Sequence, residues 1–160
     1  MSADDAPRIR DFQPGDEDAF RRLNEEWIAR YFVLEDKDRR LFADPRGLIL
    51  DRGGRIFIAE IAGEPVGCVA LLALDPETFE VAKMAVAPAH QGKGLGRLLL
   101  ERCIEHARSV GKKRLYLETN SKLAPAVALY RKLGFVEVHA DRRPQSSYAR
   151  VDLVMEFWLS

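Results

Sequence analysis

The sequence has few of the residues that would indicate a disulfide framework or a metal centre. It contains only two cysteines, Cys68 and Cys103, and three histidines in 160 residues. No Cys-x-x-Cys pair or His/Cys cluster occurs, and both cysteines lie within apolar patterns. We therefore expect reduced cysteines in the core and no metal cofactor.

Long hydrophobic runs and an excess of either charge are also missing. No stretch approaches the ~20 apolar residues that span a bilayer, and the segment MSADDAPRIR (1–10) lacks the apolar core of a secretion signal. The 25 lysines and arginines balance 25 aspartates and glutamates, which disfavours nucleic-acid binding. We expect a soluble, cytoplasmic protein that has neither a nucleic acid nor a membrane as its partner.

Hydrophobic periodicity and turn residues predict one α/β domain over residues 1–160, with elements in the order β-α-α-β-β-β-α-β-α-β-β. The second predicted helix lies within 35–47 and ends before Pro45. Three strands over 55–88 form an apparent antiparallel run, and a helix then ends near Gly111. Either Asn120 or Ser121 can cap the last helix.

The segment HQGKGLGRLL (90–99) places three glycines between an apolar strand and a long helical pattern. The first turn of a helix has backbone N–H groups without internal partners, and the helix dipole adds partial positive charge there. Glycines let a phosphate approach this backbone closely. The segment predicts a phosphate or pyrophosphate site, although a glycine-rich turn without a ligand is the alternative.

Two common phosphate motifs fit this segment poorly. A P-loop requires a serine or threonine after its lysine, but Gly94 follows Lys93. A dinucleotide fingerprint would place its third glycine at Arg97, although Glu118 lies at about the right distance for its acidic residue. That fingerprint also normally follows the first strand of its fold, whereas here about 80 residues precede it.

A third pattern fits the segment and its surroundings. Gln91 to Gly96 match Q/R-x-x-G-x-G/A, and the segments EVAKMAV (80–86) and LETNSKLAPAVALYRKLGF (117–135) follow the same family pattern. The chain resembles the GNAT superfamily of acyl-CoA-dependent N-acetyltransferases over about residues 55–138. The N-terminal third and residues 139–150 agree only in layout. The resemblance implies a single-domain, mixed, mostly antiparallel sheet flanked by helices.

The resemblance implies a coenzyme A site along the strand before the glycine segment and along that segment itself. Leu123 stands where many family members have an asparagine, so that contact is either absent or supplied by Asn120. Asn120 could equally be only a helix cap. The cofactor-binding residues implied for acetyl-CoA are Met84, Ala85, Val86, Gln91, Gly92, Lys93, Gly94, Leu95, Gly96, Arg97, Asn120 and Tyr130.

Two catalytic residues follow from the same resemblance. Tyr130 matches a tyrosine that can hydrogen-bond or protonate the departing thiolate, and ordinary core packing is the alternative interpretation. Glu80 matches a glutamate that acts as general base, directly or through water, and the alternative is a strand carboxylate that faces solvent. Glu118 is the second candidate for the base.

Family acceptors enter between the first two helices and the last hairpin, which nominates Tyr31, Glu35 and Tyr148 for substrate binding. The expected partner is a small-molecule or peptide amine, and the last strand, which ends in FWLS (157–160), could form a homodimer. These features predict an N-acetyltransferase that transfers acetyl directly in a ternary complex, because neither cysteine is placed as a nucleophile. A non-catalytic acyl-CoA sensor domain and a dinucleotide-binding oxidoreductase are the alternatives.

Overall fold

The computed structural model describes residues 6–159, so Met1–Asp5 and Ser160, which was assigned to the last predicted strand, lie outside it. The elements follow the predicted order, with single 3-10 turns at Leu50–Arg52 and Pro88–His90. They are β1 (Arg8–Asp11), α1 (Glu17–Tyr31), α2 (Asp36–Ala43), α3 (Pro45–Leu48), β2 (Arg55–Ile61), β3 (Glu64–Asp75), β4 (Thr78–Val86), α4 (Leu95–Ser109), β5 (Arg114–Thr119), α5 (Ala124–Leu133), β6 (Val136–Glu137) and β7 (Leu153–Trp158).

The helix boundaries differ from the expectation at two places. Pro45 begins the additional turn α3, because Asp44 caps it by accepting a hydrogen bond from the Gly47 N–H at 3.0 Å. The predicted caps of α5 are wrong, since that helix begins at Ala124 and its N-cap residue is Leu123. Asn120 and Ser121 hydrogen-bond to the chain around β7 instead.

The strands form one seven-stranded mixed sheet in the order β1-β2-β3-β4-β5-β7-β6. Every neighbouring pair is antiparallel except β4 and β5, which are parallel because α4 returns the chain across the sheet between them. The doubly wound parallel sheet of a dinucleotide-binding oxidoreductase is therefore absent from the described residues.

β4 and β5 separate soon after they begin. They pair only over Thr78–Glu80 and Arg114–Tyr116, although β4 continues to Val86 and β5 to Thr119. Beyond Glu80, the edge of β4 that faces β5 therefore has no strand partner. Backbone N–H and C=O groups need hydrogen-bond partners, so this gap in the middle of the sheet can receive an extended ligand.

A β-bulge in β4 changes which way its side chains point. Cys68 pairs with Ala85 and Ala70 pairs with Ala82, so two residues of β4 oppose one residue of β3. Lys83 lies in this bulge with φ of 55°, which is uncommon for a residue other than glycine. As a result Lys83 points to the same side of the sheet as Glu80, toward α2.

Two hydrophobic layers cover the faces of the sheet. One layer packs α4 and α5 on residues such as Phe57, Phe79 and Leu115, and the other packs α1 and α2 on residues such as Ile58. Both cysteines are buried and free, as predicted. No helix of the described chain is long and apolar enough to cross a membrane. Residues 6–159 also contain no group of three His, Cys, Asp or Glu side chains that could hold a metal ion.

Candidate active site

Two cavities meet at the gap between β4 and β5. The larger cavity, of about 660 Å³, lies between β4, β5, α1, α2 and the segment 139–150. The smaller cavity, of about 480 Å³, lies between the end of β4, the glycine segment and α5. Both cavities are lined by Trp27, Met84, Leu123 and Tyr130. A ligand that passes through the gap would therefore contact these four residues.

Free backbone N–H groups border the smaller cavity. Gly94 is the N-cap of α4 in the left-handed conformation, and no side chain caps the helix. The N–H groups from Gly92 to Arg97 find no hydrogen-bond partner among residues 6–159. A Cβ atom at Gly92 or Gly94 would meet nothing within 4 Å. This end of the cavity is therefore suited to an anion that lies directly against the backbone.

Most of the predicted cofactor residues line this smaller cavity. Gln91 also donates from Nε2 to the carbonyl oxygen of Val86 at 3.2 Å, which joins the glycine segment to the end of β4. Lys93 and Asn120 do not line it, and Lys93 contacts His90 instead. The predicted residues that do line it are Met84, Ala85, Val86, Gln91, Gly92, Gly94, Leu95, Gly96, Arg97 and Tyr130.

Tyr130 stands at the junction of the two cavities. It is 8% exposed, and its ring packs 5.9 Å from the ring of Phe135. Burial raises the pKa of its hydroxyl to about 12. The hydroxyl has no hydrogen-bond partner within residues 6–159, so it remains able to donate to a ligand at the junction.

Glu80 lies on the floor of the larger cavity. It pairs with Tyr116 in the short parallel ladder, so the two side chains share a face of the sheet. Burial, together with the negative charge of Glu118, raises the pKa of Glu80 to about 7. No hydrogen-bond donor to its carboxylate is present in the described part of the chain. Glu80 is thus a carboxylate poised to accept a proton near neutral pH.

Glu118 lies on the same face but is already hydrogen-bonded. It accepts from the Tyr116 hydroxyl at 3.0 Å and from the Ser146 hydroxyl at 2.9 Å. The two bonds occupy both oxygens of the carboxylate, and the bond from Ser146 connects β5 to the segment 139–150. The geometry favours Glu80 over Glu118 as the base.

A buried charge cluster closes the far side of the larger cavity. The side chain of Asp38 is fully buried and accepts from Lys83 at 2.6 Å and from Arg150 at 2.7 and 2.8 Å. Lys83 also donates to the Tyr148 hydroxyl at 3.0 Å. Burial opposes ionisation of Asp38, but the bonds from Arg150 and Lys83 hold its pKa well below the ordinary value.

The predicted substrate residues separate in the structure. Tyr148 lines the larger cavity, whereas Tyr31 lines the smaller one. Glu35 lines neither, and its carboxylate accepts from the Ala149 N–H and from Arg150, both at 3.3 Å. Asn120 lines the larger cavity and donates to the carbonyl oxygen of Arg150 at 2.8 Å.

Sequence reasoning missed Asp38, Lys83 and Asn24. Asp38 forms a capping box with Glu35 at the start of α2, and the charged Lys83 interrupts an apolar strand; both features are visible in the sequence. Asn24 is 2% exposed and donates to the carbonyl oxygen of Phe20 and to the sulfur of Cys68. Asn24 also lines the larger cavity.

A family model and a curated relative match the chain over most of its length. The model described as the acetyltransferase (GNAT) family matches residues 17–135. The uncharacterized N-acetyltransferase YjgM of Escherichia coli (strain K12) is 33% identical over 144 residues, which cover 85% of this chain and 86% of YjgM.

Solved structures share the fold. A GNAT-family acetyltransferase from Staphylococcus aureus superposes with a TM-score of 0.87 at 19% identity, over 97% of this chain and all of the other. The structure of yncA from Salmonella typhimurium with its cofactor acetyl-CoA gives a TM-score of 0.73 at 25% identity, over 97% and 95% of the two chains.

Proposed function

Because the chain belongs to the GNAT family and is an acetyl-CoA-dependent N-acetyltransferase, we propose that it transfers acetyl directly to the amine of a small molecule or peptide. The donor occupies the smaller cavity and the acceptor occupies the larger one. The observation that carries this proposal is the gap between β4 and β5, where both cavities meet at Tyr130. The two substrates can then react without leaving the protein.

The smaller cavity fits a coenzyme A thioester. Phosphates suit the free N–H groups from Gly92 to Arg97, and Arg97, Lys122 and Lys132 add positive charge to the lining. The unpaired edge of β4 from Met84 to Val86 offers peptide groups to an extended amide-containing arm. When bound, acetyl-CoA supplies an activated acyl group whose thiolate is a good leaving group.

Glu80 accepts the proton of the acceptor amine, directly or through water. An amine with a pKa of ~10.4 is neutral in only about one molecule in a few thousand at pH 7. A base positioned beside it typically contributes ~10²–10⁴ to the rate. A carboxylate with a pKa of about 7 suits this role, because it is ionised before the transfer and protonated after it.

Tyr130 stabilises the departing thiolate by hydrogen bonding. A thiol titrates near ~8.5, and burial raises the pKa of Tyr130 to about 12. Full proton transfer to the thiolate is therefore uphill by roughly 5 kcal/mol at ~1.4 kcal/mol per pKa unit. A hydrogen bond to the charged sulfur, by contrast, gains about 1.5–3 kcal/mol.

Direct transfer agrees with the burial of both thiols. Burial raises the pKa of Cys68 to about 12 and raises that of Cys103 as well. Neither side chain lines either of the two cavities described above. A covalent acetyl-enzyme on cysteine would require an exposed thiolate, so the ternary complex is the favoured route.

Ligand-dependent thermal stability tests the donor site. Acetyl-CoA and CoA, but not NAD, should raise the melting temperature, because a ligand at 100 times its Kd adds ~2.7 kcal/mol of stability. Gly94→Ala should remove this shift, since its Cβ would project into the phosphate space. Gly111→Ala is a matched control: Gly111 also has a positive φ and open space, but at the other end of α4.

Each result has a defined meaning for the proposed site. If Gly94→Ala and Gly111→Ala reduce the CoA shift equally, backbone strain explains the loss and the phosphate site is refuted. A protein that CoA does not stabilise at millimolar concentration refutes the proposed donor cavity. Stabilisation by CoA without turnover of any amine would support the non-catalytic sensor domain.

A further inference from the structure

Three cationic side chains surround one tyrosine on the wall of the larger cavity. The Tyr148 ring centroid lies 4.7 Å from Lys37 Nζ, 4.3 Å from Lys83 Nζ and 4.4 Å from Arg150 Cζ. Lys37 also donates to the hydroxyl of Ser147. All three cations and Tyr148 line the cavity.

The carboxylates that offset these cations do not face the cavity. Asp38 and Glu35 pair with Lys83 and Arg150 from behind, and neither is part of the lining. Lys37, the third cation, contacts Ser147 and forms no ion pair with a carboxylate within residues 6–159. Like charges held this close repel one another, and an anion in the cavity would relieve the repulsion.

The cavity as a whole has the same asymmetry. Its lining also includes Arg114 and Arg142, whose partner Glu156 is 1% exposed and again lies behind them. Within residues 6–159, the carboxylates in the lining are Glu80 on β4 and Glu118 on β5. The carboxylates of the lining thus lie on β4 and β5, while the charged side chains that α2 and residues 142–150 contribute to it are all cationic.

Hydrogen-bond donors at the wall remain available to a ligand. The Tyr148 hydroxyl accepts from Lys83 and donates to nothing within residues 6–159. The Nε–H of Arg150 likewise has no acceptor in the described chain, because its bonds use the two terminal nitrogens. The wall thus offers both charge and directed donors to a carboxylate.

We propose that the acceptor carries a carboxylate near its amine, which binds at Lys37, Tyr148 and Arg150 while Glu80 receives the amine. This inference rests on the proposed function and narrows its acceptor to amino acids or short peptides. The charges of Lys37 and Lys83 act on Glu80, so the cations around Tyr148 and the carboxylate of Glu80 lie within electrostatic reach of each other. A polyamine would instead place further cations against those around Tyr148.

Matched acceptor pairs test the inference directly. Release of CoA is measured with the twenty common L-amino acids and their carboxamides, with Ala-Gly and Ala-Gly-amide, and with spermidine. The kcat/KM of each free acid should be at least ~10-fold higher than that of its own amide, which is the effect expected for a charge-assisted hydrogen bond. Comparing the amino acids with Ala-Gly shows whether the carboxylate that binds belongs to an amino acid or to a short peptide.

Two variants locate the carboxylate site. Tyr148→Phe keeps the ring but removes the free donor, and Lys37→Met removes the exposed charge without stripping Asp38 of a partner. Each should raise KM for the free acid ~10-fold and reduce the preference for the free acid over its amide by a similar factor. Lys113→Met is the matched control, because Lys113 pairs with Glu77 outside both cavities.

The outcomes separate this inference from the proposed function. The inference is overturned if the amides or spermidine react with the same kcat/KM as the free acids. It is also overturned if the variants change the kinetics of acid and amide equally. A protein that is stabilised by acetyl-CoA but acetylates none of the free acids also overturns it, while the donor site stands. Absence of stabilisation by CoA overturns the proposed function itself.

Discussion

Glu80→Gln removes one ionisable carboxyl group from the larger cavity with almost no change in shape. Burial and the charge of Glu118 raise the pKa of Glu80 from 4.5 to about 7. A general base acts in its ionised form, so kcat/KM should rise with pH through about 7 in the unaltered protein. One pH unit below this pKa, only about a tenth of the molecules are ionised, so about a tenth of the plateau activity should remain.

The variant should lose both the rate and this pH dependence. Removal of a positioned base costs ~10²–10⁴ in kcat/KM, and any dependence that remains should follow the ionisation of the amine at higher pH. Glu77→Gln is the matched control, because Glu77 is exposed and pairs with Lys113 outside both cavities. Glu77→Gln should retain full activity and the acidic limb near pH 7.

The same substitution has an effect on stability that requires no substrate. In the folded state the pKa of Glu80 is about 7, which is above its value in the unfolded state. At a pH between these two pKa values, Glu80 is therefore protonated in the folded state and ionised in the unfolded state. Stability from this group is therefore complete below pH 4.5 and declines as pH rises through about 7. Gln cannot ionise, so Glu80→Gln should be more stable than the unaltered protein at pH 8, with little difference at pH 4.5.

Urea unfolding at pH 4.5, 6 and 8 measures this difference, and stopped assays of CoA release measure the rate profile. The reasoning is refuted if Glu80→Gln keeps more than half of the activity or keeps an acidic limb near pH 7. It is also refuted if the stability difference is independent of pH, because Glu80 would then have an ordinary pKa in the folded protein.

Three further substitutions or measurements test other parts of the site. Tyr130→Phe should lower kcat ~10–100-fold, the contribution of a hydrogen bond to a charged thiolate; a folded variant with no detectable turnover would show that proton transfer is essential. Asp38→Asn leaves Lys83 and Arg150 without their shared carboxylate and should destabilise the protein by about 3–5 kcal/mol in urea; a loss below about 1 kcal/mol would contradict the role of this cluster. Cys68 and Cys103 should react with a thiol reagent only after unfolding, and rapid labelling of the native protein would reopen a covalent route.

The order of elements could be predicted because each element carries its own local pattern. Strand alternation, helical spacing and the glycines after α4 and α5 are patterns of neighbouring residues. They do not depend on how distant parts of the chain pack together, so they can be recognised in the sequence. The glycine segment is likewise local: the free N–H groups from Gly92 to Arg97 follow from a helix that begins without a side-chain cap. Glu80 and Tyr130 could be nominated because the segments around them, 80–86 and 117–135, resemble those of the GNAT family.

The acceptor side was harder to predict because its residues come from distant parts of the chain. Asp38 and Arg150 are 112 positions apart, yet they share a bidentate ion pair. Glu35 was nominated to face a substrate, but the structure uses it to hold Arg150 from behind. Asn120 was expected at the donor or as a helix cap, and it instead holds the chain before β7.

Taken by itself, the sequence determined the main elements, their order and the free backbone N–H groups at the start of α4, since all three depend on local patterns along the chain. The tertiary structure alone decided where β4 and β5 part, which opens one unpaired edge between two cavities. It also decided the bulge that turns Lys83 toward Asp38. The physical reason is that strand registers and the pairing of buried charges depend on which surfaces pack together, and no local pattern specifies that packing.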